Sequence, residues 1–162
     1  MNKKTACLFF IMILSILLTG CWDYRGLNKI TVVTGVGLDQ EDADGEYQLS
    51  LEAVDLSVPI KESGPKAKIV ETEGTTIFDA VRNAEKRVAN ELYFSEAQVL
   101  VIGDEAARNN DIDDLLGWFF RDTECRETMA VVISQGVKAL DIISTEGIDQ
   151  AIAHGKNGFC AF

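Results

Sequence analysis

The sequence predicts an α/β protein of mixed α+β character, a mixed β-sheet with helices packed on it in the order β-β-α-β-α-β-α. Two apolar runs rich in β-branched residues, Ile30–Leu38 and Val99–Ile102, are typical of buried strands. Between them, a segment that begins at Thr76 has the apolar period of an amphipathic helix. Shorter apolar segments near residues 115 and 131 continue the alternation of helix and strand.

The first two strands are expected to form a hairpin. Ile30–Leu38 is followed by an acidic stretch that contains Asp44-Gly45, a dipeptide that favours tight hairpin turns. Residues 47–54 then alternate apolar with polar side chains, as a second strand should. From residue 57 to residue 72, two prolines and interspersed charges predict an exposed excursion.

A helix is expected to follow. Thr76 with Asp79 three residues on is an amino-terminal capping pattern, in which each side chain would satisfy a backbone amide of the first turn. Apolar residues at helical spacing form one face and charged residues occupy the rest, as on a helix that covers a sheet. That apolar face comprises Ile77, Val81, Ala84, Val88 and Leu92.

The rest of the chain continues the alternation. Val99–Ile102 has the profile of a central strand, and residues 104–108 are expected to begin a short helical turn. A helix is predicted from Asp111 to Phe120, with acidic residues in its first turn, and a strand from Met129 to Ile133. Apolar residues at helical spacing between positions 137 and 143 predict a last helix.

Residues 1–20 have the features of a lipoprotein signal peptide. Lys3 and Lys4 give a positive start, residues 6–18 are apolar, and Leu18-Thr19-Gly20-Cys21 places small residues where a signal peptidase cuts. Cleavage would leave Cys21 as the new amino terminus, able to carry a diacylglycerol on sulfur and an acyl chain such as palmitate on nitrogen. Two chains hold a protein stably on a membrane. Cys21 is therefore the predicted lipid attachment site.

Two alternatives compete with this interpretation. A transmembrane helix needs about 20 mostly apolar residues, and residues 6–18 are fewer. A plain secretory signal with an accidental cysteine is the second alternative. Beyond the signal, residues 21–147 have the size and pattern of one domain. Residues 148–162 lack periodicity, so either they are a disordered tail or the chain is a fragment of something longer.

The charge of the chain excludes some partners. Its formal net charge is −11, and removal of the signal takes away two lysines to give −13. Such a charge disfavours nucleic acid and anionic lipid headgroups. Membrane attachment is therefore expected through the lipid, and a specific partner is expected to be a protein or a small molecule.

Few residues suggest chemistry. Cys125 and Cys160 either form a disulfide, which an exported location permits, or remain two small apolar residues. The single histidine, His154, lies in the tail without neighbouring ligands, so a zinc site or a histidine-activated nucleophile has no support. The sequence predicts no catalytic residue, no metal ion and no cofactor.

Three motifs have simpler explanations than the ligands they suggest. The acidic residues 40–45 lack the later glutamate and the flanking helices of a calcium loop, so a solvated hairpin turn is expected. Gly35 and Gly37 lack the third glycine of a dinucleotide fingerprint and predict a bulge or a close backbone approach. Trp118-Phe119-Phe120 is expected to pack in the core, with a partner contact as the alternative.

Several of these pieces together resemble one family. Gly20-Cys21-Trp22-Asp23 followed by Val32–Asp39 is similar to the start of the lipoprotein C subunits of spore germinant receptors, the Ger(x)C family. Leu92–Gly103 resembles that family's helix-to-strand junction. Phe119-Phe120-Arg121-Asp122 with the strand near Met129 resembles its next characteristic stretch. The likeness covers the chain from the signal to about Ile143.

The resemblance implies a non-enzymatic α/β subunit, anchored by lipid to the outer face of the spore inner membrane. It implies assembly with the integral membrane A and B subunits of the receptor, and a role in nutrient-triggered germination. Members of the family have three domains and more than twice this length. We therefore expect a truncated or frameshifted gene product with its first domain intact. The alternatives are an exported lipoprotein that binds a small ligand and a cell-envelope enzyme.

Overall fold

The computed structural model describes residues 29–56, 67–121, 125–126, 128–145 and 160–161, with residues 3–5, 10 and 12 near the amino terminus. The strands are β1 (Ile30–Gln40), β2 (Tyr47–Asp55), β3 (Ala67–Gly74), β4 (Glu91–Tyr93), β5 (Val99–Ile102), β6 (Ala130–Ile133) and β7 (Cys160–Ala161). The helices that pack around them are α1 (Ile77–Glu85), α2 (Asp104–Asn109), α3 (Ile112–Arg121) and α4 (Ala139–Ile143).

The strands form one mixed sheet in the order β3-β2-β1-β5-β6-β7. β4 pairs with the first residues of β1, Ile30–Val32, and β5 pairs with Gly35–Leu38 further along β1. β1, β5 and β6 are mutually parallel, whereas β2, β3 and β7 pair antiparallel with their neighbours. The predicted class, a mixed sheet with helices packed on it, is confirmed.

The hairpin and the glycine bulge are confirmed. β1 and β2 pair from Thr31 opposite Asp55 to Gln40 opposite Tyr47, and the acidic stretch forms the turn between them. The register shifts between Val33 and Gly35, as expected for a bulge. β5 lies between β1 and β6, and its four residues are buried, as predicted for a central strand.

Part of the predicted excursion is a strand. Residues 67–72 were expected to be exposed loop, but they belong to β3, which pairs with β2 along its whole length. The expectation is wrong because β3 is an edge strand that buries only Thr72 and Gly74, so its sequence carries little apolar signal. Residues 57–66 lie outside the described part of the chain.

Helix α1 begins as predicted and ends earlier. The Thr76 hydroxyl accepts a hydrogen bond from the Asp79 amide at 3.1 Å, and Ile77, Val81 and Ala84 are buried. The helix stops at Glu85, so Leu92 reaches the core from β4. The Asp79 side chain was expected to accept a hydrogen bond from a backbone amide of the first turn. Its carboxylate instead accepts hydrogen bonds from the hydroxyls of Thr75 and Thr76.

The elements from β5 to α4 agree with the sequence within two residues at each end, but β7 lies in the tail, where no strand was expected. The expected helical turn is α2, the expected helix after it is α3, and the expected last strand is β6. The last predicted helix is the short α4, which begins at Ala139 and so leaves out Val137, a residue that is 50% exposed.

The two faces of the sheet are covered differently. Side chains of alternate residues of a strand point to opposite faces. On one face Leu100 and Ile102 join a large core with α1, α2 and α3, which includes the fully buried Phe119. On the other face Val99 and Val101 join a small cluster with α4, made of Val99, Val101, Val132, Ala139 and Ile143.

Candidate functional site

The predicted lipid attachment site lies outside the described residues. Cys21, and with it the Leu18–Cys21 signature, has no described position, so lipid attachment stays a prediction. Within the described part of the chain, no helix has the length and apolar character that crossing a membrane requires. Of the other two cysteines beyond the predicted signal, Cys125 is half-buried against the large core, and the side chain of Cys160 is not described.

A small polar cleft lies at the carboxyl ends of the parallel strands, where α/β proteins commonly bind ligands. It has a volume of about 270 Å³ and is formed by the end of β1, the start of α2 and the segment before α4. The residues that line it are Asp39, Gln40, Glu41, Asp104, Glu105, Gly136, Val137 and Lys138.

Asp39 is the buried charged group of this cleft. It is 6% exposed, and its two carboxylate oxygens accept hydrogen bonds from the amides of Ala139 at 2.9 Å and Leu140 at 3.1 Å. These amides begin α4, so a carboxylate from the first strand caps the last described helix. A Cβ atom added to Gly103 would overlap the Asp39 Oδ1 atom, so position 103 needs glycine.

Three other charged residues of the cleft, Glu41, Asp104 and Lys138, form ion pairs on its rim. The Lys138 ammonium lies 2.8 Å from Glu41 Oε1, and the Arg108 guanidinium lies 2.9 Å from Asp104 Oδ1. The hydrogen bond from Lys138, with its charge, lowers the pKa of Glu41, and Glu41 in turn raises the pKa of Lys138. These ion pairs are largely exposed on the rim of the cleft.

A network of side-chain hydrogen bonds joins the ends of β1 and α2 near the cleft. The Tyr47 hydroxyl donates to the side-chain oxygen of Asn110 at 2.8 Å, and the Asn110 amide donates to Gln40 and to the Ala106 carbonyl. Gln40 donates to the Gly45 carbonyl, which ties the hairpin turn to the end of α2. Burial raises the pKa of Tyr47, and the charge of Asp114 raises it further.

The expected simple explanations of the glycine motif and the acidic loop agree with the structure. A Cβ atom at Gly35 would lie 3.2 Å from the Ile143 side chain, and one at Gly37 would lie 3.3 Å from the Ala139 backbone, so the glycines let α4 approach β1 closely. Residues 41–46 form the hairpin turn. Among the described residues, no group of three His, Cys, Asp or Glu side chains is placed to hold a metal ion.

The second candidate site is the outward side of the helix pair α1 and α3, which we call the aromatic surface. It carries the partly or half-exposed rings of Phe78, Trp118 and Phe120, and Phe120 lies outside the groove between the two helices. A groove of about 410 Å³ runs between Phe78 of α1 and Gly117 and Trp118 of α3. Phe78 is 51% exposed and Phe120 is 47% exposed. Single exposed apolar residues are ordinary, but several aromatic rings on one pair of helices are typical of protein contact surfaces.

The polar groups around the aromatic surface are mixed in charge. Asp113, Asp114 and Arg121 line the groove, and the Arg82 guanidinium stacks over the Phe78 ring at 5.4 Å from its centre. The groove therefore mixes aromatic and charged side chains, and aromatic and arginine side chains are both enriched at protein interfaces.

The three aromatic residues 118–120 were expected in the core, but in the structure only Phe119 is fully buried and Phe120 is exposed. Phe119 is fully buried, and Trp118 packs edge-on against it and against Phe94, with ring centres 4.9 Å and 5.4 Å apart. Phe120 is exposed, as the partner-contact alternative requires. Sequence reasoning did not select Phe78, and the signal that would have found it is its position off the apolar face of α1.

Comparisons with known proteins point to one family. The family model described as spore germination protein N-terminal domain matches residues 23–156. Spore germination protein KC of Bacillus subtilis strain 168 is 31% identical over 148 residues, which cover 86% of this chain and 36% of the relative. Spore germination protein B3 of the same organism is 28% identical over 144 residues, which cover 87% of this chain and 38% of the relative.

A third relative, spore germination protein A3 of Bacillus subtilis strain 168, is 26% identical over 140 residues, 84% of this chain and 36% of the relative. The chain thus spans little more than a third of the length of these curated relatives. No solved structure matches it.

Proposed function

Since this chain belongs to the spore germination protein N-terminal domain family, we propose that it is a lipid-anchored subunit of a spore germinant receptor. In this role it takes part in nutrient-triggered spore germination. The observation that carries the proposal is the family match over residues 23–156, together with relatives that are named spore germination proteins.

The proposed mode of action is protein contact and not catalysis. In the carboxyl-edge cleft the buried Asp39 caps α4 and Lys138 pairs with Glu41, whereas α1 and α3 leave Phe78 and Phe120 of the aromatic surface about half exposed. We assign that surface to the integral membrane A and B subunits of the receptor. Aromatic side chains often carry a large share of the binding energy of such interfaces.

The proposed location is the outer face of the spore inner membrane, where lipid on Cys21 would hold the domain. The support is the order of basic residues, apolar run, small residues and cysteine in the first 21 positions. Because the chain carries strong negative charge, its surface would not bind anionic headgroups without that anchor.

The anchor is tested by two cysteine variants expressed in the organism that carries the gene. Cys21→Ala should release the protein from membranes, and its mass should lack the acyl chains. Cys7→Ala is the matched control, because it removes a cysteine from the same signal and leaves the cleavage site intact. A Cys21→Ala protein that stays on membranes with unchanged mass would show that the anchor is wrong.

The role in germination is tested by deleting the gene and assaying purified spores with a panel of nutrients. We expect a slower or absent response to at least one nutrient, restored by the wild-type gene supplied in trans. Unchanged germination with every nutrient tested would contradict the proposed function.

A further inference from the structure

Helix α4 is short and buries few side chains. It has five residues, of which Ala139 and Ile143 are buried and Leu140 and Ile142 are half-buried. Ala139 and Ile143 join a small cluster whose other buried members are the valines Val99 and Val101 of β5 and Val132 of β6. Helix α1, in contrast, buries four side chains in the large core.

A polar contact to the sheet supplies what α4 lacks in apolar packing. Lys138, the residue before α4, gives no side-chain hydrogen bond to the helix, so its first amides would have no cap from their own segment. Asp39 provides that cap from β1, a hundred residues away in sequence. Hydrogen bonds to an ionised carboxylate are about twice as strong as neutral ones.

Two glycines of β1 face α4. Gly35 and Gly37 of β1 present no side chains to the helix, and Gly103 leaves room for the Asp39 carboxylate. At Gly35 and Gly37 the helix packs against backbone instead of interlocking with side chains, whereas Asp39 on the same strand holds it by hydrogen bonds. The helix can therefore separate from the glycines of β1 without the rotamer changes that interdigitated packing demands.

We infer that α4 is a strap that opens from the sheet as a unit while the sheet stays folded, and that the Asp39 carboxylate holds it closed. Opening breaks the two hydrogen bonds to Asp39 and the exposed contact between Lys138 and Glu41. It uncovers an apolar trough formed by Val99, Val101 and Val132 beside the glycines of β1. This trough lies on the face of the sheet opposite the helices that carry the aromatic surface.

The inference is tested by amide hydrogen exchange on the full chain, followed residue by residue by NMR over a series of low denaturant concentrations. In the wild type, the amides of Ala139 and Leu140 should exchange faster than that of Val101 in β5. Their rates should depend little on denaturant, because local opening exposes little surface.

Two variants separate the strap from general destabilisation. Asp39→Asn should speed exchange at Ala139 and Leu140 by about tenfold or more and change Val101 much less. Asp141→Asn is the matched control, because it removes a carboxylate from the first turn of the same helix that makes no described contact with the sheet. It should leave the ratio of the α4 rates to the Val101 rate unchanged within about twofold.

Two results would overturn the strap. One is wild-type exchange at Ala139 and Leu140 with the same rate and denaturant dependence as Val101. The other is an equal acceleration of all three amides by Asp39→Asn. If Asp39→Asn does not fold, Gly35→Ala decides by the same criteria, because its Cβ atom presses on Ile143 and leaves Asp39 in place.

Discussion

The two faces of the sheet show two ways to attach a helix. Helices α1 and α3 are held by side-chain volume, with Phe119 and its neighbours filling a continuous apolar core. Helix α4 is held by a small apolar cluster, by close approach to glycines and by one buried carboxylate. Apolar packing is spread over many contacts, whereas the attachment of α4 depends on Asp39, so single substitutions should act very differently on the two faces.

The largest effect is expected from Phe119→Ala on the packed face. The ring is fully buried and contacts Trp118, so its loss should lower the free energy of unfolding by about 3–5 kcal/mol. Urea denaturation followed by fluorescence measures this. Phe120→Ala is the control, since the adjacent ring is about half exposed and its loss should cost less than about 1 kcal/mol. Equal losses in the two variants would contradict the burial of Phe119 and the exposure of Phe120.

The next effect is a coupling on the α4 face. Asp39→Ala leaves the Ala139 and Leu140 amides without their acceptor and should cost about 1–3 kcal/mol. Gly103→Ala should cost about 1–3 kcal/mol because its methyl group overlaps the Asp39 carboxylate. The double variant should be more stable than the sum of the two costs predicts, because the overlap is then gone. Additive costs would argue against the contact.

These substitutions also show where sequence reasoning ends. Strands β1 and β5 were predictable because both are buried, so their apolar character is continuous. Strand β3 was missed because, at the edge of the sheet, it buries only Thr72 and Gly74. Leu92 was assigned to α1 because it stands four residues after Val88, although the chain turns after Glu85 and reaches the core from another direction.

The candidate site was predictable in part. The pattern around Gly35 and Gly37 indicated a bulge or a close approach, and both are present. The role of Asp39 was not visible, because its partners are backbone amides of a distant helix, and any residue except proline can supply an amide.

A smaller effect is expected at the start of α1. Thr76→Ala removes the hydroxyl that caps the helix and should cost about 1 kcal/mol. Hydrogen bonds from the hydroxyls of Thr75 and Thr76 lower the pKa of Asp79, so the substitution should raise that pKa toward its ordinary value. NMR titration of Asp79 measures the change.

The sign of the pH effect follows from that shift. Because the pKa of Asp79 is lowered in the folded protein, its carboxylate contributes stability at neutral pH that is lost as the pH falls through the folded pKa. Thr76→Ala makes that shift smaller, so the variant should lose less stability on acidification than the wild type. Thr75→Ala separates the two roles, because it also raises the pKa of Asp79 but leaves the cap in place. An unchanged Asp79 pKa in both variants would contradict the hydrogen bonds assigned here.

The smallest effect is expected from Lys138→Gln on the α4 face. The pair with Glu41 is exposed, so the loss of stability should be small and should vanish at high salt. The pKa of Glu41 should rise toward its ordinary value. The contribution of Glu41 is lost as the pH falls through its folded pKa, and that of Lys138 is lost as the pH rises through its own. A loss as large as that of Asp39→Ala would show that the rim, and not Asp39, holds α4.

The most direct test of the account concerns the aromatic surface of the packed face. Spores that lack the gene should be complemented with the wild type, with Phe78→Ser/Phe120→Ser, and with Val137→Ser, which removes an equally exposed apolar residue elsewhere on the molecule. All three proteins should accumulate at equal levels in the membrane. We predict that nutrient germination is lost with the double variant and kept with Val137→Ser. Normal germination with the double variant, where deletion abolishes it, would contradict a receptor subunit that works through this surface.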